Sequence, residues 1–172
     1  MTAGRARTLR SERLELRPVG YAAATDLSTG GDGGFAWAPG GPGEGTRDAA
    51  TLVALAVLSG DFDPAWGSYV IVRRQDGTAV GGIGFHGPPD DGSAEIGYDL
   101  ADSARGRGYA TEAARTLCRH VLNRPGIDLV VAHTEPGNTA SQAVVARAGF
   151  VRDGEGGDGL YRFTLRRPGP QR

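Results

Sequence analysis

The 172-residue chain carries a formal net charge of −1, so no global field draws it to nucleic acid or to an anionic membrane. Its 19 basic residues are all Arg, which excludes a Schiff-base lysine and a Walker-type phosphate lysine. The single Cys, Cys118, can form no disulfide within the chain, and no apolar run approaches the ~20 residues of a membrane span.

The length fits one domain, expected over 11–167 behind a flexible basic lead of residues 1–10. That lead has no apolar segment behind it, so it is not read as a signal peptide; with one Cys, the expected compartment is the cytoplasm. Arg13 to Arg17 alternates as a short strand stopped by Pro18. Ala22 to Leu27 allows one or two helical turns. Ser28 to Gly45 is mostly Gly, Pro and small residues and reads as a mobile loop. Its Phe35 and Trp37 either fold back on the core or line a substrate mouth. Thr46-Arg47-Asp48 then offers an N-cap for a helix over Ala49 to Leu58, stopped at Ser59-Gly60.

Three antiparallel strands are expected next: Tyr69 to Arg73, Thr78 to Phe85 after the Asp76-Gly77 turn, and Ser93 to Leu100. From Ala110, the positions Ala113, Ala114, Leu117, Cys118, Val121 and Leu122 form the stripe of a core-facing helix that ends before Pro125-Gly126. Leu129 to Ala132 is a short apolar strand expected at the sheet centre. A helix runs from Asn138 to Ala148 with Gly149 at its end, and Leu160 to Leu165 is the last strand. The fold class is α/β (α+β), with a mixed, mostly antiparallel sheet flanked by helices.

Arg105-Gly106-Arg107-Gly108-Tyr109-Ala110-Thr111 sits between a strand and the amphipathic helix. The first turn of a helix carries unpaired N–H groups at the positive end of its dipole, and glycines let the backbone approach a ligand. Arg105 and Arg107 can add charge for phosphate oxygens. A tight turn that happens to carry two arginines is the competing reading. Thr111 stands where a dinucleotide fingerprint needs its third glycine, so a Rossmann site fits poorly.

Arg-x-x-Gly-x-Ala, as Arg105, Gly108 and Ala110, resembles the coenzyme A pyrophosphate signature of the GNAT (GCN5-related N-acetyltransferase) superfamily. Glu95 to Tyr98, Thr111 to Ala113, Asn138 to Ser141, Ala148-Gly149-Phe150 and Ser11 to Pro18 are similar to segments of its RimJ/RimL-like subgroup. The likeness is weakest between Gly30 and Trp66. It implies the GNAT fold, with its middle strands splayed between Tyr98–Leu100 and Leu129–Thr134, and acetyl-CoA as acyl donor. It implies pyrophosphate on the amides of Arg105 to Ala110, with Arg107, Tyr109 and Thr111 in the same cradle. Pantetheine would lie along Tyr98 and Leu100, with the Leu100 amide facing the thioester oxygen. Asn138 would contact the pantetheine arm, and Ser141 the coenzyme sulfur.

The implied reaction is direct attack of a neutral primary amine on the thioester, so a base and an acid help. Glu95 is the first candidate base and His86, ending the preceding strand, the second. Val145 stands where many superfamily members have a tyrosine acid, which leaves Ser141 as its substitute, or as a helix cap. Cys118 is read as a buried structural thiol and Tyr161 as a packing residue. His120 and His133 have no partner at ligand spacing, so no metal is expected. The acceptor is a small-molecule amine or a peptide N-terminus, with no nucleic acid or membrane partner, and a homodimer is compatible. Rival readings are a non-catalytic acyl-CoA sensor, a GNAT with another acyl donor, and a nucleotide-phosphate binder using the same loop.

Overall fold

The computed structural model describes residues 6–169. The elements are β1 (Leu9–Arg10), β2 (Leu14–Pro18), α1 (Tyr21–Ser28), α2 (Glu44–Ser59), β3 (Ser68–Arg73), β4 (Ala79–Phe85), β5 (Ser93–Leu100), α3 (Tyr109–Leu122), β6 (Leu129–Thr134), α4 (Thr139–Arg147), β7 (Val151–Glu155) and β8 (Tyr161–Arg166). The eight strands form one sheet in the order β1-β2-β3-β4-β5-β6-β8-β7. All neighbours are antiparallel except β5 and β6.

Alternation along the central strands explains the layering. On β3, Tyr69 and Ile71 face one core while Val70 and Val72 face the other. The larger core packs the sheet against Ala113, Leu117, Cys118 and Val121 of α3 and Val145 of α4. The smaller core joins Val70, Val72 and Ala79 to Ala24 and Leu27 of α1 and Ala50 and Val53 of α2. The β4 sequence Ala-Val-Gly-Gly-Ile-Gly-Phe lets α2 lie close to the sheet: a Cβ at Gly82 would overlap Thr46 Oγ1.

The structure departs from the sequence reading at four places. Residues 1–5 of the expected lead lie outside the described residues, but Leu9 and Arg10 pair with Leu16 and Glu15 as an edge strand. Helix α2 starts five residues earlier than expected, at Glu44. Its N-cap Gly43 has no side chain to cap with, and Asp99 of β5 does that work by accepting from the Thr46 amide (3.1 Å) and hydroxyl. The 28–45 loop is held in place: Ala38 N donates to Ala79 O (2.9 Å), Ala79 N to Ala36 O (2.7 Å), and Trp37 Nε1 to Asp32 O (2.8 Å). Phe35 and Trp37 therefore pack on the smaller core, as a loop folded back, rather than lining a mouth. Finally β7, exposed along its length, forms an outer strand on β8 that periodicity gave no reason to expect.

No helix among the described residues is long and apolar enough to cross a membrane.

Candidate active site

Strands β5 and β6 run parallel and pair only from Ser93↔Leu129 to Ile96↔Ala132. Beyond Ile96 they part. On its other side β5 stays paired with β4 through Gly81↔Leu100. There, His86 N donates to Glu95 O (2.9 Å) and Ala101 N to Val80 O (2.8 Å), so the odd-numbered residues of β5 bond to β4. Alternation turns the main-chain groups of Tyr98 and Leu100 the other way, into the gap beside β6. A cavity of about 460 Å³ opens there, lined by residues that include Gly97, Tyr98, Ala132, His133, Asn138 and Ser141.

One end of the gap leads to the start of α3. Gly106 (φ 77°) and the N-cap Gly108 (φ 79°) both take the left-handed conformation that favours glycine. Outside the helix ladder, none of the amides from Gly106 to Thr111 donates to another backbone group among the described residues. Arg105 is different: its amide already donates to Asp102 O (3.5 Å), and its guanidinium lies 3.2 Å from the Asp102 carboxylate.

The loop is braced from β2, a feature that the sequence reading missed. Arg13 donates from Nη1 to Arg107 O (2.9 Å), and its guanidinium lies over the Tyr109 ring, 4.8 Å from the centroid. Glu112, one turn into α3, accepts from Ser11 Oγ (2.7 Å), Arg13 N (2.8 Å) and Arg13 Nε (2.7 Å). Burial pushes the Glu112 carboxyl up, but these three bonds outweigh it and hold its pKa below the ordinary value. A carboxyl lowered on folding stabilises above its unfolded pKa, near ~4.3, and loses that effect as pH falls through the folded value. Glu112→Ala is therefore expected to cost about 2 kcal/mol at neutral pH, read from denaturant unfolding, with the gap to the unmodified chain closing in acid.

Two side-chain clusters flank the gap on opposite faces of the sheet. On the α2 face, Glu95 Oε1 lies 2.8 Å from His133 Nδ1 and 3.2 Å from His86 Nδ1. A carboxylate can only accept, so the hydrogen bond from His133 places a hydrogen on His133 Nδ1, while the His86 ring lies beside the same oxygen without a hydrogen bond to it. His86 Nε2 lies over Gly97, where any Cβ would overlap it. The sequence singled out Glu95 and His86 separately and passed over His133, whose position depends on a strand register that no local pattern reveals.

On the α4 face, the Tyr98 hydroxyl lies 2.7 Å from Ser141 Oγ and donates to Ser141 O (3.1 Å). Burial raises the Tyr98 pKa, opposed in part by the Ser141 bond, so the phenol keeps its proton at neutral pH. Asn138 caps α4 by accepting from Ser141 N (3.0 Å) through Oδ1. Val145 is fully buried in the core. A phenol thus meets α4 after all, but from β5. Cys118 is buried and its pKa is pushed up to about 12, so it is no nucleophile. Tyr161 packs against the larger core and carries the Arg152 guanidinium on its ring (3.6 Å). Among the described residues, no group of three or more His, Cys, Asp or Glu has a geometry that could hold a metal ion.

A parted sheet with free main-chain groups, beside a helix start with free amides, offers the donors that an extended, phosphate-bearing ligand would need. The chain belongs to the GNAT acetyltransferase family: the sequence model described as "Acetyltransferase (GNAT) domain" matches residues 13–151. It is 30% identical over 129 residues to the uncharacterized N-acetyltransferase p20 of Bacillus licheniformis, covering 69% of this chain and 70% of that one. It is 38% identical over 85 residues to the uncharacterized N-acetyltransferase YjdG of Bacillus subtilis, a match spanning 49% of this chain and only 51% of that relative's length. Among solved structures, an acetyltransferase from Agrobacterium tumefaciens superposes with a TM-score of 0.67 at 27% identity, covering 95% of this chain and 96% of that one. A RimL ribosomal L7/L12 alpha-N-protein acetyltransferase and the RimJ protein of Mycobacterium smegmatis share the fold.

Proposed function

We propose that this chain transfers an acetyl group from acetyl-CoA to a primary amine, by direct attack within a ternary complex. The observation that carries this reading is the parting of β5 from β6 after Ile96 beside the free amides of Gly106 to Ala110. The coenzyme's shape fits this arrangement. Its diphosphate suits the N–H groups and positive dipole end of α3, and its amide-bearing arm suits the unpaired main-chain groups of Tyr98 and Leu100. A structural relative described as a RimL-type acetyltransferase was solved in complex with coenzyme A. The likeness to ribosomal-protein acetyltransferases also supports a cytoplasmic enzyme.

In this reading Gly106 to Thr111 hold the diphosphate, with Arg107 adding charge. Arg105 serves mainly to close the turn through Asp102. Acetyl-CoA supplies the thioester. The Leu100 amide is the donor placed to stabilise charge on the thioester oxygen. The Glu95–His86 pair is the proton-accepting unit. His86 Nε2 takes the ammonium proton, while the Glu95 carboxylate, 3.2 Å from Nδ1, stabilises the imidazolium that forms. His133, on the same carboxylate oxygen, holds Glu95 in position. The paired Tyr98 and Ser141 hydroxyls supply the proton for the departing sulfur and are restored by the second proton that the nitrogen sheds as the tetrahedral adduct collapses, while Asn138 fixes the turn that carries Ser141.

Thiol release from acetyl-CoA in the presence of primary amines tests the reading. Coenzyme binding with no thiol release on any amine would favour a non-catalytic sensor, and stabilisation by ATP but not by coenzyme A would favour a nucleotide binder. Tyr98→Phe is expected to lower kcat by about tenfold or more, with acetyl-CoA affinity kept. An unchanged kcat would leave Ser141 or solvent as the proton source.

A further inference from the structure

A second cavity, of about 320 Å³, opens on the α2 face. It shares Gly45, Ala49, Ser68, Phe85 and His86 with the first, so the two cavities adjoin at the proposed base. Its walls combine apolar and aromatic side chains with carboxylates. Phe62, Leu52 and Val53 line it, with Trp66 set edge-on to Phe85 at 5.1 Å and 73°.

The charges are one-sided. Although the chain holds 19 basic residues, not one Arg lines either cavity among the described residues. The carboxylates at the walls are Asp48, Asp61 and Asp63 in the second cavity, and Asp99 and Glu135 with Glu95 at its edge in the first. Asp99 is occupied by Thr46, Asp61 by the Ser59 hydroxyl (2.9 Å) and Asp63 by the Ala65 amide (3.0 Å). Asp48 takes no hydrogen bond or ion pair from the described residues.

We infer that the second cavity receives the aromatic body of a small primary amine that lacks an anionic group, of the arylalkylamine class. This rests on the transferase reading above and names its acceptor. A carboxylate or phosphate beside the amine would stand among acidic side chains with no Arg on the cavity lining to pair with, which disfavours free amino acids. A long polyamine would gain from the carboxylates but would leave the aromatic wall unfilled. An aromatic ring fills it, and only the amine then needs to reach His86.

The test uses the full chain with saturating acetyl-CoA and five amines: 2-phenylethylamine, L-phenylalanine, L-phenylalaninamide, spermidine and ethylamine. Thiol release is measured, and coenzyme binding is followed separately by calorimetry. 2-Phenylethylamine is expected to exceed L-phenylalanine in kcat/KM by about a hundredfold or more, with L-phenylalaninamide much closer to it, because only the carboxylate is penalised. Ala56→Leu, on the lining of the second cavity alone, should raise the KM for 2-phenylethylamine by about tenfold while ethylamine turnover and coenzyme binding stay unchanged. Equal use of L-phenylalanine, preference for spermidine, or a KM indifferent to Ala56→Leu would overturn this acceptor assignment and leave the transferase standing. Coenzyme binding with no thiol release from any amine would remove the transferase reading itself, and this assignment with it.

Discussion

Gly108→Glu is expected to abolish coenzyme A binding, with affinity falling by about a hundredfold or more. Two effects act together. Gly108 is the N-cap of α3 at φ 79°, a left-handed conformation that costs a side-chain-bearing residue about 1–2 kcal/mol. The new carboxylate would also stand at the positive end of the helix, in the place proposed for the diphosphate. A Cβ at this position lies 3.3 Å from Arg13 Nη2, so the new acid would draw Arg13 from Arg107 O and loosen the loop as well. Gly108→Ala separates the contributions, because it keeps the backbone strain without the charge. Its coenzyme affinity should fall much less. Calorimetry on both variants, with circular dichroism to confirm folding, gives the comparison, and equal losses would assign the effect to the backbone alone.

Glu95→Gln is expected to lower kcat about a hundredfold, with the KM for acetyl-CoA nearly unchanged. Glutamine can still accept from His133 Nδ1, but it supplies no charge to stabilise a protonated His86 ring. His86→Ala should cost a similar factor. If His86 and Glu95 act as one unit, the double variant should be scarcely slower than either single one. Multiplicative losses would mean that Glu95 takes the proton independently, through water. Full activity of His86→Ala would remove the histidine from the mechanism.

Most of the sheet and the glycine turn before α3 were legible because their signals are local. The bounds expected for β5, Ser93 to Leu100, are those observed, since alternation and the flanking turn residues fall within one short segment. The stripe on α3 and the cap at Asn138 are equally local. What escaped the sequence depends on residues far apart in the chain. Helix α2 starts early because Asp99, 53 residues on, caps it. The Glu95–His133 contact spans 38 residues and the Tyr98–Ser141 contact spans 43, and both are set by where a parallel strand lies. Strand β7, Val-Arg-Asp-Gly-Glu, carries no apolar alternation because it has no buried face. The brace from Arg13 and Glu112 to the phosphate loop joins segments 99 residues apart.

The most direct test is a crystal structure with coenzyme A bound. The account predicts diphosphate oxygens within hydrogen-bond distance of the amides between Gly106 and Ala110. It also predicts the thiol-bearing arm running between β5 and β6, with its sulfur near Tyr98 and Ser141. A coenzyme seated elsewhere on the molecule, with β5 and β6 paired beyond Ile96, would contradict it.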